Sequence, residues 1–245
     1  GNESFYEFII KKKSKFNNYK NLIRIIIKLQ NIKPKRTYHF GKYKINFQNY
    51  SIKNLHKESD LFFDWYLQYC LKSSKQKKIK NILKKELTKV YKKLYFKNTV
   101  FVHRDFHASN IMVNKNKLGL IDSQDAIIGN PLYDLASLID DVRIKLPSNL
   151  QERLFNFYYS KSKLKKEQYK NLKNDFEILS VQRNLKILGI FVRLFKRDGK
   201  PDYLKYLPYT WRLIERRLKN PVFENFNLML KKYLKIQKLK KINNL

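Results

Sequence analysis

Residues 99–125 constrain the fold most, because they interrupt a helical chain with three short β-prone runs set around polar turns. Thr99–Val102, Asn110–Val113 and Leu118–Ile121 are rich in apolar and β-branched residues, and Asn114–Lys117 between the last two reads as a hairpin turn. On both sides the apolar residues recur at helical spacing. Ahead of the interruption lie Phe5–Ile10 and Tyr19–Gln30, the second stopped by Pro34. Residues 52–72 carry Leu55, Phe62, Tyr66 and Tyr69 on one face, and 76–96 has an outer face that is almost all Lys. Behind it, periodicity runs from the first-turn Pro131 through Ile144, then over Leu150–Tyr159, Tyr169–Phe195, Tyr203–Leu218 and Phe223–Leu239. Lys35–Tyr50 reads as an aromatic, loop-rich connection, Gly189 as a point of close helix packing, and Asp198–Pro201 as a break. The expected class is therefore α+β, mostly α.

Charge is the second constraint. The chain of 245 residues carries 54 Lys and Arg against 20 Asp and Glu, a formal net charge of +34. With 43% hydrophobic and 15% aromatic residues it is too apolar for a disordered basic tail. Lys supplies 43 of the 54 basic residues, and an excess of Lys over the planar Arg fork argues against a nucleic-acid partner. The acids are unevenly placed. Residues 105–141 hold six of the eleven Asp, no Glu, and only Lys115 and Lys117 among bases. Such an island suits holding a divalent cation or taking a proton from a hydroxyl better than gripping phosphodiesters.

One cysteine, Cys70, excludes a disulfide within the chain and a multi-Cys zinc site, and the four His (39, 56, 103 and 107) are scattered. The apolar runs fall short of a membrane span and no charged-then-apolar leader opens the chain. The expectation is a cytoplasmic protein with no membrane partner. Because the first residue is Gly1, not Met, the chain is expected to begin inside a longer reading frame or to have been processed.

Chemistry concentrates in Val102-His103-Arg104-Asp105-Phe106-His107-Ala108-Ser109-Asn110 and, after the hairpin, Leu120-Ile121-Asp122. An Asp with an Asn five residues on, then a second Asp at a strand exit, matches the catalytic and metal loops of kinases. A loop leaving a strand can turn Asp105 toward a substrate hydroxyl, while the hairpin returns Asp122 beside Asn110 so that two oxygens meet a hard cation. The competing reading makes Asp105 and Asn110 loop-turn residues and Asp122 a cap.

His103–Met112 resembles the catalytic loop of the aminoglycoside phosphotransferase and choline kinase superfamily. Gly119–Ala126 with Gly129–Leu138, Glu58–Tyr66, and Gln182–Phe191 with Arg197–Lys200 are similar to the bacterial cell-wall kinases of N-acetylmuramate and N-acetylglucosamine. The likeness runs from about Ser4 to Leu218. It implies a protein-kinase-like large (C-terminal) lobe with a small β-hairpin at the active site, using ATP and Mg²⁺ to phosphorylate a small-molecule sugar at its anomeric hydroxyl. By the same likeness Asp105 is the base or hydroxyl-orienting residue, Asn110 and Asp122 are the magnesium ligands, and Gln124 and Asp125 lie near the sugar. Glu58 and Arg183 are weaker substrate-side candidates, His103 and Asp134 structural supports. Gln124, Asp125, Glu58 and Arg183 are equally readable as structural.

Two departures stand out. Ser123 follows the metal Asp where that group usually keeps an aromatic, and no Gly-rich loop or strand Lys with a partnering Glu precedes the catalytic loop. Gly1–Phe5 resembles the hinge after the small ATP-binding lobe, so that lobe is expected to be missing or separately encoded. The expected organisation is a single large lobe over 1–245, with a helical segment at 1–98, the catalytic and metal loops at 99–125, and a helical substrate-side segment at 126–245. The rival acceptors are an aminoglycoside or choline. The rival of another class is a non-catalytic basic module that binds nucleic acid or a protein.

Overall fold

The computed structural model describes residues 3–71, 74–115 and 117–234. The expected hinge residues Gly1 and Asn2, the end of the 52–72 helix, the turn residue Asn116 and the end of the Phe223–Leu239 helix lie outside them. The chain runs β1 (Glu3–Ser4), α1 (Phe5–Ile10), α2 (Phe16–Gln30), β2 (Thr37–Phe40), β3 (Tyr43–Asn46) and α3 (Ile52–Leu61). The last continues through a π-helical segment, Phe62–Leu67, into α4 (Gln68–Cys70), followed by α5 (Gln76–Tyr91). Then come β4 (Val100–Val102), β5 (Ile111–Asn114), β6 (Lys117–Leu120), β7 (Ile127–Gly129) and α6 (Leu132–Ile139). The helices α7 (Ser148–Lys161), α8 (Tyr169–Asp198), α9 (Leu207–Arg217) and α10 (Glu224–Tyr233) complete it. Among the described residues no helix is long and apolar enough to cross a membrane.

The chain divides into two compact units. The first comprises residues 1–50 and 95–176. Ser4 opens α1 with a reciprocal capping box, its hydroxyl accepting from the Glu7 amide while the Glu7 carboxylate accepts from the Ser4 amide at 2.8 Å. The same residue pairs as an antiparallel strand with Met112, giving the sheet order β1-β5-β6. The expected hairpin is β5–β6, with Ile111 opposite Leu120 and Asn114 opposite Lys117. A second pairing, β4 with β7, sets Val102 opposite Ile127 and Val100 opposite Gly129. Gly129 is required there, because a Cβ would sit 2.8 Å from Val102 Cγ2. The stretch expected as loop, Lys35–Tyr50, instead folds as the β2–β3 hairpin, whose Gly41 takes the positive φ (56°) that a two-residue type II′ turn needs at its first position. The expected helix over Pro131–Ile144 ends at Ile139, after eight residues that are all buried. It stops at Asp140, whose φ of −102° and ψ of 29° leave the helical region.

The second unit comprises residues 51–94 and 177–245. Its core is aromatic: Phe62 stacks on Tyr66, and Trp211 donates to the Tyr66 hydroxyl at 2.6 Å. Burial pushes the Tyr66 hydroxyl pKa up. Gly189 lies against the backbone where α3 becomes π-helical, and a Cβ on it would stand 2.2 Å from the carbonyl carbon and oxygen of Leu61. The expected role of that glycine in close packing is what the structure has, and the widened turn sits at the same point.

Candidate active site

The catalytic-loop segment leaves β4 and is fixed by alternation. Phe106 and Ala108 are completely buried, so their backbone runs along the core, while Asp105, His107 and Ser109 between and beside them are half-buried. Within the loop the His107 amide donates to the Asp105 carbonyl at 2.9 Å and the Asn110 amide to the His107 carbonyl at 3.0 Å. Arg104 adopts φ 71°, a left-handed conformation that an L side chain holds only where the surroundings enforce it.

The enforcing group is Asp134, in the first turn of α6 and 3% exposed. Its two carboxylate oxygens accept from the backbone amides of His103, at 2.7 Å, and Arg104, at 3.0 Å. That is the structural support expected for it. A second buried carboxylate, Asp141, takes the far end of the loop, accepting from the Ala108 amide at 3.0 Å. Its other oxygen accepts from the Arg143 amide at 3.1 Å. The expected companion His103 is buried against Phe106 and beside Ile121, and burial holds its imidazole pKa below the ordinary 6.5.

The hairpin β5–β6 then returns the chain. The Ile121 amide donates to the Asn110 carbonyl at 3.1 Å, which sets Asp122 beside Asn110. The Asn110 side-chain amide donates to the Asp105 carbonyl at 3.2 Å and reaches Asp122 Oδ2 at 3.5 Å. The Asn110 side chain thus links the Asp105 backbone to the Asp122 carboxylate. Asp122 carries the second left-handed backbone of the site, φ 66°, and Gln124 donates its amide to Asp122 Oδ1. Arg104 reaches across to the Asp125 carbonyl at 3.2 Å and to its carboxylate at 3.9 Å, bracing the turn after the metal-type Asp. Ser123, in the place of the usual aromatic, is exposed.

The Asn110 side-chain nitrogen is turned to both the Asp105 carbonyl and the Asp122 carboxylate, so Oδ1 joins Asp122 as a donor only with the amide turned over. Asn110 Oδ1 and the Asp122 carboxylate are both hard oxygen donors. They are too few for a self-sufficient cage but suited to magnesium, which commonly binds through one or two protein oxygens together with substrate phosphates. Among the described residues no group of three His, Cys, Asp or Glu forms a metal site by itself.

Glu58 and Arg183 belong to the second unit and both are buried. Glu58 accepts from Gln182 at 3.0 Å and lies 3.5 Å from the Lys186 ammonium. Sequence reasoning missed Asp141 and another carboxylate, Asp175, which accepts from the amides of Tyr95 and Phe96, each at 2.9 Å, and from Asn130 at 2.7 Å. Burial raises the Asp175 carboxyl pKa. A usable signal for Asp141 was its place seven residues, about two helical turns, after Asp134 at the end of a mostly apolar segment.

Residues 17–167 match the sequence profile described as the phosphotransferase enzyme family. The chain belongs to that family. Within it, the chain is 32% identical over 165 residues to the N-acetylmuramate/N-acetylglucosamine kinase of Pseudomonas aeruginosa, a match covering 66% of this chain and 49% of that one. It is 31% identical over 171 residues to the enzyme of the same name from Neisseria meningitidis serogroup B, covering 68% and 51%. The chain therefore spans about half the length of the curated relatives it matches. The crystal structure of a choline/ethanolamine kinase family protein from Mesorhizobium loti aligns over 95% of this chain and 70% of that chain with a TM-score of 0.54 at 14% identity, a likeness of fold. These matches bear out the resemblance read from the loop motifs and the mostly helical α+β class.

Proposed function

We propose that this chain is the large lobe of an ATP- and Mg²⁺-dependent sugar kinase acting on the anomeric hydroxyl of N-acetylmuramate or N-acetylglucosamine. The observation that carries it is the Asn110 side chain bridging the Asp105 backbone and the Asp122 carboxylate, at a loop whose backbone is locked by buried carboxylates. The names of the two bacterial relatives favour this acceptor over an aminoglycoside or choline.

In this reading the Asp105 carboxylate accepts the proton of the attacking hydroxyl, from a loop that is pre-ordered before substrate arrives. Asn110, with its amide turned over to present Oδ1, and the Asp122 carboxylate would hold the magnesium, and Gln124 orients Asp122 through its amide. Bound with ATP, the ion supplies charge neutralisation at the transferred phosphoryl group. Asp125, braced by Arg104, and Gln124 are assigned to the sugar side of Asp105. Glu58 and Arg183 are assigned to substrate-side support in the second unit. The nucleotide cover is assigned to a small lobe outside these 245 residues, so that 1–98, 99–125 and 126–245 form parts of one large lobe.

The test is ADP release by the complete protein across a panel of N-acetylmuramate, N-acetylglucosamine, an aminoglycoside and choline. Turnover with the two amino sugars is expected. Turnover with only the aminoglycoside or choline refutes the acceptor, and none with any of the four refutes the activity. Asp105→Asn removes the proton acceptor at nearly constant volume, so kcat should fall by roughly 10²–10⁴-fold with unchanged circular dichroism. A variant that keeps its turnover refutes the role of Asp105.

A further inference from the structure

The β2–β3 hairpin of the first unit has no part in the phosphotransfer site, yet its shape and chemistry are specific. The register pairs Tyr38 with Ile45 and Phe40 with Tyr43, which puts these four side chains on one face, and His39 with Lys44 on the other. At the inner end Tyr38 packs on Phe47 and Phe101, with ring centroids 5.6 and 6.2 Å away. At the outer end Phe40 is 62% exposed, Tyr43 68% and Ile45 47%. Every residue from His39 to Asn46 is exposed, so the tip is a convex apolar wedge rather than a groove. Large apolar side chains gathered at one exposed tip, rather than scattered singly, are a surface that something else covers.

The surrounding charge says what. Phe8–Tyr50 contains twelve Lys or Arg and no Asp or Glu. Lys42 sits in the turn over the Tyr43 ring, 5.7 Å from its centroid. At the foot of the hairpin Lys33 and Arg36 line a hollow of about 370 Å³ together with Asn98 and Thr99. A wedge of Phe, Tyr and Ile ringed by cations is suited to an anionic bilayer: the rings and the aliphatic chain enter the headgroup and acyl boundary while the ammonium groups stay among lipid phosphates. A single-stranded nucleic acid is the poorer fit. It needs a groove that tracks the backbone, and Ile45 offers no face on which a base can stack.

We infer that the β2–β3 hairpin is a peripheral membrane anchor, which inserts Phe40, Tyr43 and Ile45 into anionic lipid with Lys33, Arg36, Lys42 and Lys44 on the headgroups. It stands on residues that the phosphotransfer reading does not use, and its assay contains neither nucleotide nor sugar. The full chain is mixed with sedimentable vesicles of phosphatidylglycerol and phosphatidylcholine, or of phosphatidylcholine alone. Binding is expected only to the anionic vesicles and falls as salt is raised. The exposed triple substitution Phe40→Ser, Tyr43→Ser, Ile45→Ser should lower the partition coefficient at least roughly tenfold, given the apolar area withdrawn from the bilayer. Lys42→Glu with Lys44→Glu, which keeps the wedge, should lower it as well. Failure to bind anionic vesicles, or binding that both variants leave unchanged, overturns the inference. So does a single-stranded oligonucleotide whose binding is lost in the serine variant while vesicle binding is kept.

Discussion

Replacing Asp134 by Asn isolates what the buried carboxylate does for the loop, because volume and position are conserved and only one acceptor is exchanged for a donor. Wild-type Asp134 accepts from His103 N at 2.7 Å and Arg104 N at 3.0 Å, in a place that is 3% exposed. Asn keeps one acceptor and presents an NH₂ group to the second amide. One charge-assisted hydrogen bond, about 1.5–3 kcal/mol, is lost, and a largely buried amide is left unpaired, about 1–3 kcal/mol. Since the two penalties overlap, the expected loss is about 2–4 kcal/mol. For a chain of this size that is a fall in Tm of roughly 4–16 °C. The strain at Arg104, φ 71°, adds a local signature: with its amide released, the residue relaxes toward ordinary backbone and the Asp105 loop loosens. Thermal unfolding measures the global term, and hydrogen exchange at the His103 and Arg104 amides measures the local one. An unchanged Tm with unchanged exchange at both amides would falsify the account of how the loop is held.

Two further perturbations probe separate features. Gly189→Ala places a Cβ 2.2 Å from the Leu61 carbonyl, so the backbone must move; a destabilisation of at least about 1–3 kcal/mol is expected in thermal melts, and a wild-type Tm refutes the close packing. Burial depresses the His103 pKa below 6.5, so the unfolded chain binds the proton more readily than the folded one. That contribution to stability is complete above pH 6.5 and is lost as the pH falls below it. Urea melts between pH 7.5 and 5 should show the decline, and a His103→Gln variant should show less of it; parallel curves for the two proteins refute the assignment.

Much of the fold is legible in the sequence because helical periodicity reports burial directly. Tyr169–Phe195 reads as one helix from its apolar spacing, and the structure gives Tyr169–Asp198. The catalytic segment is legible for a different reason: its polar residues occupy fixed offsets in a short loop between β-prone runs, and the β5–β6 hairpin then has a single register that joins Asn110 to Asp122. The hairpin at Thr37–Asn46 was not legible, since one strand is wholly exposed and leaves no alternation of buried and polar positions to detect. Asp141 and Asp175 were hidden for the converse reason. Each takes backbone amides distant in the chain, Ala108 in one case and Tyr95 and Phe96 in the other, and amides carry no sequence label.

The acidic island now resolves into two populations with opposite physics. Asp134, Asp140 and Asp141, from one helix and the turn that ends it, are buried, and the structure gives each a hydrogen-bond donor: two amides for Asp134, Gln151 for Asp140, and the Ala108 and Arg143 amides for Asp141. Buried carboxylates in such company are held by dipoles, and their charge is not offered to a ligand. Asp122 and Asp125, from the loops, are exposed, and Asp105 is half-buried. If all six acids served only to offset the basic surface, burial of three would be unfavourable and the alignment of Asp134 and Asp141 on loop amides would have no function. Their division is instead what a preorganised site requires: one set fixes the backbone of the loop that carries Asp105, and the other presents oxygens to what binds there. The two left-handed residues of the site, Arg104 and Asp122, fall at the junctions between these sets, where the chain must turn sharply from the anchored layer to the presenting one.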